Sequence, residues 1–184
     1  MSYNTIGYHT VEDRGNIDYI EEHAPFKCEN KWAWLSDGYY FWENDYERAF
    51  EWGGNNYSDG FVILKFHLAN LKLLDLVGNR EHQQEFIELS VRLREYFPGL
   101  SSKQQPISKI ITLLRRLEQK QKGIFSYNSI KAQDHPDRKN FIFVKGRNEA
   151  MDLNPRIQIC LFVKSKVTLP ARAIVFPEYY INDN

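Results

Sequence analysis

The sequence predicts an α+β fold, and three observations carry that expectation. Residues 79–121 repeat their apolar side chains at helical spacing. After residue 140 the chain turns to strand-like runs, NFIFVK, RIQICLFVK and ARAIVFPEYYIND, so helices and strands are segregated along it. Between these and the N-terminus lies LSDGYYFWENDYERAFEWGG, residues 35–54, which reads as strand, sharp turn and short helix.

At 184 residues the chain is long enough to bury a sizeable core and is expected to form one domain. Its 24 basic residues balance its 24 acidic ones, so net charge gives no argument for nucleic-acid or membrane binding. There is no apolar run of about 18 residues to span a bilayer. The opening MSYNTIGYHTVEDRG lacks the basic segment and apolar core of a signal peptide. Cys28 and Cys160 are far apart, with no Cys or His at metal-ligand spacing, and read as buried thiols in a reducing compartment, the cytoplasm. No metal is expected, and no GxGxxG follows a strand, so a Rossmann-type dinucleotide fold is not expected either.

Taken in order, residues 4–11 read as a first strand carrying His9. Residues 16–24 follow as a short helix with Ile17 and Ile20 inward and Asn16 as its cap. In the aromatic run Tyr39-Tyr40-Phe41-Trp42, alternation sends Tyr39 and Tyr40 to opposite faces. That run suits either a site for a flat cationic ring or a strand packed into a core. Asn44 is placed to cap the next helix with Glu47 reaching back to it; Tyr46, Ala49 and Phe50 share a face, and Gly53-Gly54 marks its end. FVILKFHLAN from Phe61 is a strand and LKLLDL from Leu71 a second one.

Asn79 then opens a helix running to about Phe97, with Phe86, Leu89, Leu93 and Phe97 as its apolar stripe and Ile87 at the margin. Pro98-Gly99 stops it. A helix over 106–121 buries Ile107, Ile110, Ile111, Leu114 and Leu117. Lys103, Lys109, Arg115, Arg116, Lys120 and Lys122 stand there against the single acid Glu118. They form either a dock for an acidic or nucleic-acid target or a solvated helix face. Residues 124–139 read as loop. Pro177 cannot donate to a ladder, so the last strand lies at an edge or breaks there. Glu178 beside it points outward or, if buried, needs a partner.

His9, Tyr40 and Glu178, each in its own element and in this order, resemble the His–Tyr–Glu set of the ADP-ribosyltransferases, in the branch shared by diphtheria-toxin-like enzymes and poly-ADP-ribose polymerases. The first motif is Tyr8-His9-Thr10, without the family's glycine after the histidine. The second is Gly38-Tyr39-Tyr40-Phe41, leading into Glu43-Asn44-Asp45-Tyr46-Glu47-Arg48-Ala49. The third is Pro177-Glu178-Tyr179-Tyr180-Ile181. The resemblance implies a split β-sandwich with flanking helices, with 79–122 as a helical insertion outside the cleft. It implies NAD as substrate, with mono-ADP-ribosyl transfer to a protein or nucleic acid, in an intracellular toxin or defence effector that an antitoxin or inhibitor protein would restrain.

On that pattern Glu178 faces the developing ribose cation, Tyr40 stacks on nicotinamide, and His9 holds a ribose, with Thr10 backbone groups near the carboxamide. The family's second stacking aromatic falls at Glu51, so its neighbours Phe50 and Trp52 are the candidates for that role. An NAD glycohydrolase and a non-catalytic binding module on the same fold are the rival expectations.

Overall fold

The computed structural model describes residues 3–30, 33–97, 106–134, 141–142, 150–151 and 154–181. Mixed α+β is what it forms: a seven-stranded sheet with helices packed on it. The strands are β1 (Tyr3–Glu12), β2 (Tyr39–Glu43), β3 (Phe61–Leu71), β4 (Leu73–Asp75), β5 (Ser129–Asp134), β6 (Phe141–Ile142), β7 (Ala150–Met151), β8 (Arg156–Leu161) and β9 (Val167–Phe176). The helices are α1 (Ile17–His23), α2 (Tyr46–Asn56), α3 (Arg80–Tyr96), α4 (Ile107–Lys120) and α5 (Glu178–Ile181). The sheet runs β4-β5-β8-β2-β1-β3-β9, and β6 pairs with β7 apart from it. Among the described residues no helix is long and apolar enough to cross a membrane.

The sheet is apolar on both faces, and helices cover both. On one face Val11, Phe41, Val62, Leu64, Phe66 and Ile159 pack with Ile20 of α1. The other face carries two clusters. Trp42, Ala49 and Ile63 gather beneath α2. Leu74, Ile130 and Cys160 meet Ile110, Ile111 and Leu114 of α4 and Leu93 of α3. The helices α3 and α4 are therefore part of the core. β4 and β5 are parallel, a parallel pair needs a crossover, and α3 and α4 are that crossover.

Several local expectations change. Asp45, not Asn44, caps α2: its carboxylate accepts from Arg48 N at 2.9 Å. Asn44 instead makes the turn, at φ 51, with its N–H donating to Ile6 O. Pairing with β1, a long-range contact, thus takes Asn44 before the helix can use it. Asn16 makes no side-chain cap on α1. Gly53-Gly54 does not end α2, which continues to Asn56. Gly53 is there because the Phe61 ring sits against it; a Cβ would lie 2.4 Å from that ring.

The 124–139 stretch contains β5, recruited between β4 and β8. Asn79 does cap α3, accepting from His82 N at 3.1 Å. In that helix Leu93 is buried, whereas Ile87 and Phe97 are exposed. Pro98-Gly99 and Lys103 lie outside the described residues. The last strand stops at Phe176, as the missing N–H of Pro177 requires, so Glu178 opens the one-turn helix α5 instead of lying in a strand.

Candidate functional site

The two central strands part company. β1 pairs with β3 along its whole length to Glu12, and β2 pairs with β8 from Tyr39 to Trp42. Between themselves β1 and β2 register only at Gly7↔Glu43 and Tyr8↔Trp42. Beyond Tyr8 the sheet forks, and the His9 imidazole fills the fork. Its Nε2 accepts from Phe26 N at 3.1 Å. The proton of a neutral ring therefore sits on Nδ1, which donates to Tyr40 O at 2.8 Å. Phe41 and Phe66 close around the ring at centroid distances of 5.5 and 6.4 Å.

Burial pushes the His9 imidazole down to about 4; its bond to the Tyr40 carbonyl opposes the shift and nearby Lys164 adds to it. The folded value lies below the ordinary 6.5, so between the two the unfolded chain binds the extra proton. This contribution to stability is full above pH 6.5 and is lost as pH falls to 4. A shift of this size corresponds to about 3 kcal/mol. The stability gap between wild type and His9→Gln, measured by urea denaturation, is expected to shrink by about that amount from pH 6.5 to 4. A gap constant across the window would contradict a buried, neutral His9.

Beside the fork opens a cleft of about 810 Å³. Cross-strand partners share a face, so the register Tyr40↔Cys160 and Trp42↔Gln158 puts these four on one face of the sheet, where Tyr40, Trp42 and Gln158 line the cleft and Cys160 is buried beneath α4. On the next strand Asp134 lies opposite Arg156, and both line the cleft. Trp34 comes in from the loop before β2 and donates its indole N–H to Gln158 Oε1 at 2.7 Å. Trp52, Asn56 and Tyr57 line the cleft from the end of α2, and Glu12 and Arg14, an ion pair, from the end of β1. Arg156 lies over the Trp42 ring, 5.5 Å from its centroid.

The residues picked from sequence divide into those at the cleft and those away from it. His9, Thr10, Tyr40 and Trp52 line it. Thr10 is committed on its side chain, donating to Ala49 O at 2.9 Å. Tyr40 is committed too. Its hydroxyl donates to Ser36 O at 2.7 Å and accepts from Leu35 N at 2.8 Å, and burial drives the phenol far above its usual range. Phe50 is partly exposed and does not line the cleft; its ring lies edge-on to Phe61 and Phe176 at 5.4 and 5.0 Å.

Glu178 does not join His9 and Tyr40. It is solvent-exposed, is not among the residues lining the cleft, and lies near Tyr46, whose phenol it helps to raise after burial. The next two residues point their hydroxyls at Asp13, each at 3.3 Å. The cause is topological. β9 is the sheet edge beyond β3, three strands from β2, and at about 4.8 Å per strand that is roughly 14 Å.

Among the described residues, the carboxylates that line the cleft are Glu12 and Asp134. Trp34, Gln158, Arg156 and Asp134 went unselected in the sequence. The alternation Arg156, Gln158, Cys160 against Ile157, Ile159, Leu161 was the signal available for two of them.

Comparison with family models, curated proteins and solved structures returns no match. Among the described residues no three His, Cys, Asp or Glu side chains are grouped to hold a metal ion.

Of the basic stretch, Arg115 is spoken for. It donates to Ser36 Oγ at 2.9 Å and Asp37 O at 2.7 Å and lies 4.2 Å from the Phe162 ring centroid. Cys160 is buried and its thiol is pushed up to about 12 by that burial, which makes it inert.

Proposed function

We propose that the chain binds NAD in the cleft beside the β1–β2 fork and transfers its ADP-ribose to a macromolecular acceptor, protein or nucleic acid. One observation carries this: His9 and Tyr40, read as one site from two separate stretches of sequence, meet through Nδ1 and a carbonyl at 2.8 Å where the central sheet forks. A sheet parted between its central strands supports the split-sandwich, ADP-ribosyltransferase-like reading of the fold. The cleft's 810 Å³ falls in the range of sites for ligands of this size. Trp34, Trp42 and Trp52 give it aromatic faces suited to a cationic pyridinium.

Loss of nicotinamide leaves positive charge on the ribose, as in glycoside hydrolysis. In this reading the carboxylate facing that charge comes from the cleft, not from Glu178. The test is incubation with adenylate-labelled NAD and cell lysate, with protease and nuclease digestion of the product. Labelled macromolecule and released nicotinamide are expected. Glu178→Gln should retain both, while Trp52→Ala weakens NAD affinity by about 0.5–2 kcal/mol in calorimetry. Absence of NAD binding by the wild-type protein overturns the reading; nicotinamide release without labelled product makes water the acceptor.

A further inference from the structure

We propose that Arg156 and Gln158 form a phosphate subsite in the cleft, which takes the pyrophosphate of the bound dinucleotide; this rests on the NAD reading above. The two side chains project from β8 on the cleft face, opposite Asp134 and Ala132 on one side, with Trp42 across from Gln158 on the other. The Trp34 indole nitrogen can only donate, so the Gln158 atom it meets at 2.7 Å is the carbonyl oxygen. What Gln158 then offers a ligand is its amide N–H pair. Arg156 offers donors only. Its Nε is buried and makes no hydrogen bond among the described residues, and Asp134 Oδ2 is 3.7 Å away, beyond hydrogen-bond distance.

The other cations lining the cleft are hydrogen-bonded to carboxylates, Arg14 to Glu12 and Lys27 to Glu29. The Gln158 amide N–H pair and an incompletely satisfied guanidinium, whose neighbouring carboxylate Asp134 is 3.7 Å from Nε, fit a group that only accepts, and phosphate is the anionic group whose geometry a guanidinium matches. The aromatic residues Trp34 and Trp52 that line the same cleft favour a molecule that carries a flat ring close to its phosphates.

Calorimetry on the whole protein with ADP and ADP-ribose, against adenosine and nicotinamide as phosphate-free probes, tests this. In Arg156→Gln, and separately in Gln158→Glu, which keeps an oxygen for Trp34 but replaces the amide N–H pair with a negative charge, affinity for ADP and ADP-ribose should fall about 10- to 100-fold. Adenosine affinity should hold, and thermal melts should show both variants folded. Unchanged ADP-ribose affinity in two folded variants overturns the subsite, as does a wild-type protein that binds neither phosphate ligand. ADP binding that both variants weaken, in a protein that releases no nicotinamide, sustains the subsite while the transferase reading fails. A single-stranded oligonucleotide whose binding follows Arg156→Gln while ADP binding does not moves the subsite from the dinucleotide to a nucleic acid.

Discussion

Tyr40→Ala is expected to lower the stability of the protein by about 3–5 kcal/mol, the range for deleting a large aromatic from a packed core. A domain's whole stability is typically about 5–15 kcal/mol, so this substitution removes a large share. The ring packs against the cluster that holds Leu35, Leu114 and Cys160 beneath α4. Its hydroxyl also satisfies two backbone groups of the preceding loop, Leu35 N and Ser36 O, in residues that are buried.

That loop needs holding. Ser36 has φ 77, in the left-handed region that side chains other than glycine rarely take. Besides Tyr40, it is held by the Ser36–Thr112 hydroxyl pair at 2.8 Å and by Arg115. Tyr40→Phe separates the two contributions: it keeps the packing and loses the hydrogen bonds, for about 1–3 kcal/mol. Chemical denaturation of both variants is the measurement. A Phe variant as damaged as the Ala variant would show that packing contributes little; an Ala variant losing less than about 1 kcal/mol would show that the loop holds without the ring. Trp34 belongs to the same loop and bonds Gln158 in the cleft. Weakened ligand binding in Tyr40→Ala therefore does not by itself report stacking on the ligand.

This dependence of a site on its supports explains what the sequence disclosed. Signals that act over a few residues were legible. Asn79 three residues before His82, and the apolar spacing of Ile110, Ile111 and Leu114, needed no knowledge of the rest of the chain. Gly38 was legible as a motif position, and the structure supplies the physical cause. A Cβ there would meet Cys160 Sγ at 2.4 Å and Leu161 O at 2.5 Å, so only glycine lets β2 start against β8.

Which strands pair was not legible, and the site depends on pairing. Arg156 and Gln158 reach the cleft because β8 lies beside β2, although more than a hundred residues separate them in the chain. Glu178 fails to reach it because β9 pairs with β3 at the other edge. Its motif, a carboxylate among tyrosines after a proline, reads the same in either place. His9 is the intermediate case: its strand was evident, but its burial in a fork follows from β1 and β2 separating after Tyr8.

The second large effect lies where sequence gave no warning, at Lys131. The side chain of Lys131 is 12% exposed and sits between Glu43, 6% exposed, at 2.8 Å, and Asp75 at 3.9 Å. Tyr3 completes the group, donating its hydroxyl to Glu43 at 2.5 Å and accepting from Lys131 Nζ at 3.1 Å. Four strands, β1, β2, β4 and β5, each contribute one member, so the cluster ties the sheet across its width.

Burying these charges costs several kcal/mol apiece, which their mutual attraction roughly offsets. Intact, the cluster is close to neutral for stability; broken, it is not. Lys131→Ala strands the Glu43 carboxylate without its cation and is expected to cost about 3–5 kcal/mol. The double variant Lys131→Met, Glu43→Leu removes both charges and keeps apolar volume, so it should recover most of that loss. Denaturation of wild type, Lys131→Met, Glu43→Leu and the double variant gives the coupling directly. If the double variant is as unstable as the two single losses added together, the pair does not interact as its 2.8 Å separation implies, and the sheet draws nothing from this cluster.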